Sequence, residues 1–157
     1  MNKLTIGLDK NESKNVAEKL NGLLANFQIY YQNLRGLHWN IKGKNFFELH
    51  LKFEEFYTDA QVKIDLIAER ILTLQAKPLH TFQDYLNTST VPVGKDISKD
   101  IEAVELVINS LLKLLVIERE ILHLSDETND EGTNSMMSDF IAEQEKTIWM
   151  LNSWMGK

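Results

Sequence analysis

Four side chains on two helical stretches have the types and spacing to hold a redox metal: His38, His50, Asp65 and Glu69. Imidazole nitrogen with carboxylate oxygen is a donor set that suits iron and leaves coordination positions open for an oxidant. Asp65 and Glu69 are four residues apart, so on a helix both carboxylates face one way, a turn from each other. On a helical wheel His50, Glu54, Asp65 and Glu69 fall within a strip about 100° wide. Taken singly, each has an ordinary explanation. Asp65 and Glu69 would be a solvated face paired with Lys63 or Arg70, and His50 a partly buried structural imidazole.

The spacing imposes a condition on any such site. His50 and Asp65 are fifteen residues apart, which on one helix is about 22 Å along the axis. Ligands to one iron, or to two irons about 4 Å apart, must all lie within a few ångströms of the metal. One chain cannot bring both groups together. Two antiparallel copies of the helix can, with His50 of one opposite Asp65 and Glu69 of the other, and a two-fold dimer then carries the site twice. A second pattern competes. Glu120-Ile121-Leu122-His123 has the Glu-x-x-His form that di-iron bundles carry on two helices. It occurs once, at a helix end that runs into the acidic loop 125–131, and is read as surface.

The elements that must position these residues follow from periodicity. A first helix is expected from about Ser13 to Trp39, with Val16, Leu20, Leu24, Phe27, Tyr31 and Leu34 at three- and four-residue spacing. Asn45, with Glu48 three residues on, is the expected capping box of a second helix running to about Ala76. Its apolar stripe is Leu49, Phe53, Phe56, Ala60, Ile64, Ile67 and Ile71. A third long helix is expected from near Ser98, apolar on most sides between Val104 and Leu124 and therefore the most buried. Gly132 and Thr133 are expected to break the chain and cap a last helix ending near Trp154. About twenty residues, including both prolines and a possible short helix at 82–86, connect the second and third long helices. One long crossover among short turns is the wiring of a ferritin-like four-helix bundle, the expected all-α fold.

Composition sets the limits. The 157 residues suit one domain, residues 1–157, with 43% apolar and 25% charged side chains. No apolar run spans a bilayer, and the first residues lack a secretory core, so the expected compartment is cytoplasmic. Cysteine is absent, which removes disulfides and thiolate metal sites. A net charge of -6 argues against general nucleic-acid binding and is compatible with attracting cations.

The segments Leu34-Arg35-Gly36-Leu37-His38-Trp39-Asn40, Phe46-Phe47-Glu48-Leu49-His50 and Asp65-Leu66-Ile67-Ala68-Glu69-Arg70 resemble the Dps family of miniferritins, the DNA-binding proteins from starved cells. The resemblance runs over nearly the whole chain, including Lys77-Pro78-Leu79 and Ile148-Trp149-Met150. It implies a homododecameric cage that oxidises ferrous iron, preferentially with hydrogen peroxide, and stores ferric mineral: a ferroxidase guarding against oxidative damage. His38 and His50 would come from one subunit, Asp65 and Glu69 from its two-fold mate, and Glu54 would be an auxiliary acid. Trp39 matches a tryptophan thought to intercept radicals, with interface packing as the alternative. Three-fold pores lined by acids would admit iron, with Asp126, Asp130 and Glu131 as candidates, although Ser135 departs from the family's acid after the threonine. DNA compaction is the other activity of the family. The nearly balanced charge of the first twenty residues points to weak or absent DNA binding.

Overall fold

The computed structural model describes residues 2–157. Five helices follow one another: α1 (Lys10–Asn40), α2 (Phe46–Thr73), α3 (Phe82–Thr88), α4 (Asp100–Glu127) and α5 (Glu131–Trp154). Among the described residues β-structure is limited to one isolated bridge, Lys3 to Asp9. The four long helices bury their apolar stripes against one another, and α3 lies in the crossover against α1. The stripe expected on α2 is buried along its length, with Leu49, Phe53, Ala60, Ile67 and Ile71 in the core and Phe56 and Ile64 packed at its edge. Each large apolar side chain so enclosed contributes about 1.5–3 kcal/mol.

The most buried helix is α1, not α4 as expected. α1 packs against α2, α3 and α4, and so is covered on three sides. α4 meets α1 and α5, which leaves Leu112 and Val116 on an outward face, 48% and 58% exposed.

Helix ends also depart from the sequence reading. The Asn45 side chain makes no cap; its amide donates instead to Asp100 Oδ2 at 2.7 Å, tying the start of α2 to the start of α4. The Asp100 carboxyl is held below its ordinary range by the Ile101 N–H and by that amide. α5 begins earlier than Gly132, because Asp130 is its cap and accepts from the Thr133 N–H at 3.0 Å. The break itself is made at Asn129, in the left-handed region (φ 57°), with Asp130 N–H donating to Ser125 O as in a Schellman ending.

The crossover explains how α2 and α4 come to run in the same direction, starting at the same end of the bundle. Three asparagines of α1 receive it in order. Asn21 bonds Lys77 O and Leu79 N, Asn26 accepts from Thr90 and Val91, and Asn33 bonds Pro92 O and Gly94 N. Lys42 N–H then donates to Ser98 O at the far end of α1. The connection therefore climbs the whole of α1, so α4 starts where α2 starts and runs antiparallel to α1. This wiring leaves α2 with one long face free along its whole length, the face that bears the acids.

Candidate metal centre

His38 lies in the last turns of α1 and His50 near the start of α2. The five-residue turn between the helices brings the two rings face to face, with centroids 3.8 Å apart and planes 12° off parallel. His38 Nδ1 is 2.6 Å from the His50 carbonyl oxygen, and His50 Nδ1 is 2.7 Å from the His38 carbonyl oxygen. A carbonyl oxygen only accepts, so each Nδ1 carries the hydrogen. In a neutral ring this is the tautomer that leaves Nε2 with its lone pair, the arrangement by which proteins orient metal-binding histidines.

The rings are walled by aromatics that the sequence reading missed. Phe46 stacks on His50 at 4.9 Å, and Tyr57 sets its edge against His38 at 5.4 Å. Phe46, His50 and Tyr57 are spaced by four and seven on α2, so the helical wheel held the signal.

Asp65, Glu69 and Glu54 are all exposed on α2. The ion pairs expected of Asp65 and Glu69 on a solvated face are not made, because their supposed partners are engaged elsewhere. Lys63 is turned inward and bridges Asp59 and Glu143 at 2.6 and 2.7 Å. Arg70 pairs with Asp130 and donates to Thr133 Oγ1 at 2.9 Å. Both acids thus face outward with their charge unspent. Among the described residues, no three His, Asp or Glu side chains gather into a metal-binding group within one chain. The structure brings His38 to His50 and keeps both apart from Asp65 and Glu69, as the length of α2 requires.

The remaining candidates separate cleanly. Trp39 is 57% exposed beside the pair, with the Arg35 guanidinium 4.9 Å over its ring. Glu120 reaches Lys19 at 3.4 Å and His123 reaches Glu127 at 3.3 Å, both on the surface, so Glu-x-x-His binds nothing in common. Of the pore candidates, Asp126 and Glu131 are exposed, but Asp130 is only 2% exposed. Its carboxylate is taken up by Arg70, by the Thr133 N–H and by the Thr133 hydroxyl, which corrects its reading as a pore-lining acid. A Cβ at Gly132 would come within 2.8 Å of the Arg70 guanidinium, so a larger residue there would have to displace that side chain.

Comparison with known proteins points the same way. Residues 17–157 match the ferritin-like domain family. The chain is 40% identical over 151 residues to a DNA protection during starvation protein of Porphyromonas gingivalis, covering 96% of this chain and 95% of that one. It is 48% identical over 153 residues to an uncharacterized protein of Haemophilus influenzae, covering 98% and 96%. A crystal structure of a Dps protein from Vibrio cholerae O1, described as a member of a broad superfamily of ferritin-like diiron-carboxylate proteins, superposes with a TM-score of 0.97. It shares 51% identity, over 99% of this chain and 98% of that one.

Proposed function

Because the chain belongs to the Dps branch of the ferritin-like proteins, we propose that it oxidises ferrous iron at sites shared between two copies and stores the ferric product inside a cage of twelve. The observation that carries this reading is the His38–His50 pair, two Nε2 donors fixed by reciprocal backbone bonds. The outward acids Asp65 and Glu69 lie farther along the same helix.

The surface of α2 supports the shared geometry. Leu51 and Leu66 are 58% and 42% exposed. They are placed symmetrically about the point between Thr58 and Asp59, the same midpoint that sets His50 across from the Asp65–Glu69 turn of an antiparallel copy. One register therefore completes the metal site and covers both leucines. In it, His38 and His50 orient iron through Nε2, while Asp65 and Glu69 lower the site's potential by favouring the more highly charged ferric ion. Glu54, one turn from His50, would hold a second iron or a bridging water. Iron is here the substrate. Peroxide takes one electron from each of two ferrous ions, and its O–O bond breaks to give two waters with uptake of two protons, so no hydroxyl radical is released.

Initial oxidation by peroxide is expected to exceed that by oxygen by at least about tenfold, a barrier difference of ~1.4 kcal/mol. Stopped-flow absorbance with each oxidant in turn, alongside a spin trap for hydroxyl radical, measures it. Equal rates, or radical in proportion to iron oxidised, would refute the peroxide preference.

The name of the P. gingivalis relative raises a second reading, direct coating of DNA. Here residues 2–9 fold into a turn: Leu4 is buried, Lys3 bridges to Asp9, and Thr5 accepts from Gln75 at 2.7 Å. The backbone of this segment is thus tied to the body, with the Lys3 side chain left exposed, and the net charge of -6 per chain repels phosphate. Iron-free protein is expected to leave plasmid DNA unretarded at sub-micromolar concentration in about 150 mM salt. Retardation there would restore coating as a main function, by avidity across twelve copies.

A further inference from the structure

α4 and α5 share a buried polar pair that the iron chemistry does not use. Glu118 is 0% exposed and Gln144 5% exposed. The Gln144 amide Nε2 donates to Glu118 Oε1 at 2.7 Å. Glu118 Oε2 and Gln144 Oε1 are left over, both buried and neither with a hydrogen-bond partner. An unpaired buried acceptor is costly, and an unpaired buried carboxylate oxygen more so.

One proton removes both deficits. Placed on Oε2, it donates to Gln144 Oε1 while the amide N–H donates back to Glu118 Oε1, closing a ring of two hydrogen bonds with no charge inside the bundle. We infer that Glu118 is held as the neutral carboxylic acid in a ring with Gln144, a proton-binding site that joins α4 to α5.

The surrounding charges are disposed to allow it. On α2, the Lys63 ammonium is already held by Asp59 of its own helix and Glu143 of α5. Arg119, next to Glu118 on α4, is exposed and reaches toward Glu145 at 3.7 Å. On α1, Tyr30 is a neutral phenol, pushed further up by burial and then by the Asp59 carboxylate. Burial lifts Glu118 from 4.5 to about 7, against the lowering influence of Gln144, Lys63 and Arg119. A raised carboxyl pKa means that the folded chain keeps a proton the unfolded chain loses. The stability it supplies is complete below about 4.5, declines as pH rises, and is gone above about 7.

Glu118→Gln tests this in the assembled protein, because its amide copies the hydrogen bonds of the neutral acid without titrating. The variant is expected to match wild type near pH 5. By about pH 8 its unfolding midpoint should lie several degrees above wild type. A variant that fails to fold, or that is less stable than wild type at the higher pH, would show that the carboxylate charge is required and would overturn the proposal. Infrared spectroscopy in D₂O at about pH 6, above the ordinary carboxyl range, gives an independent reading. A protonated-carboxyl band should be present in wild type and absent from Glu118→Gln. In Gln144→Leu it should move to higher wavenumber as its hydrogen bond is lost. No band in wild type, or a band indifferent to both changes, would mean a charged Glu118 bridged by water.

Discussion

Replacing Asp65 and Glu69 together by alanine is expected to lower the initial rate of ferrous oxidation by about 100-fold, ~2.7 kcal/mol of barrier, with little change in stability. The two halves of that expectation come from different observations. Both carboxylates are exposed and their cationic neighbours, Lys63 and Arg70, are bound to other acids. The fold therefore loses no ion pair with them. Alanine is a better helix former than aspartate, and exposed changes of this kind stay within about 0.5 kcal/mol. The oxidation site, in contrast, would lose the two anionic ligands that most favour ferric iron, leaving the two imidazoles and the auxiliary Glu54. The test is stopped-flow oxidation alongside thermal unfolding and a size measurement to confirm that the cage assembles. Initial kinetics that survive in an assembled double variant would sink the site assignment. His123→Ala is the matched control. His123 is exposed and pairs with Glu127 of its own helix, so its loss should leave the rate unchanged.

Residue type and spacing carried the site further than the helix boundaries. The acids of α2 were legible because a 28-residue helix imposes one period on everything it bears, and because the distance from His50 to Asp65 is a matter of rise per residue. The ends of helices were not, because several groups compete for each free N–H and carbonyl. Asn45 looked like a cap until Asp100, distant in sequence, took its amide, and Asp130 capped α5 where Gly132 had the better-known signal. The asparagines that guide the crossover had no local mark either. Asn21, Asn26 and Asn33 sit inside a helix, and their partners lie more than fifty residues away. The fixed tautomers of His38 and His50 depend on two carbonyls facing each other across a turn, which no periodicity encodes. The Glu118–Gln144 pair is hidden for the same reason: each residue alone is an ordinary polar position on a long helix.

The arrangement of the two half-sites leads to the most discriminating expectation. Subunits carrying His50→Ala and Asp65→Ala should each be inactive alone and regain oxidation when co-expressed in one cage. In a mixed two-fold pair, one site receives both defects and the other receives neither, so one of two sites is intact. With random pairing of equal amounts, half of the pairs are mixed, and about a quarter of the wild-type sites should return. The stacked histidines supply the control. His38 and His50 lie 3.8 Å apart in the same chain and belong to the same half-site. A His38→Ala subunit mixed with a His50→Ala subunit therefore damages every site in the mixed pair, and no activity should return. Recovery in the first mixture and none in the second is the signature of a site divided between chains along α2. If neither mixture recovers although mass spectrometry shows mixed cages, the ligands do not come from two copies in this register. Recovery in both would mean that His38 and His50 act on different irons, contrary to the shared orientation that their reciprocal Nδ1 bonds impose.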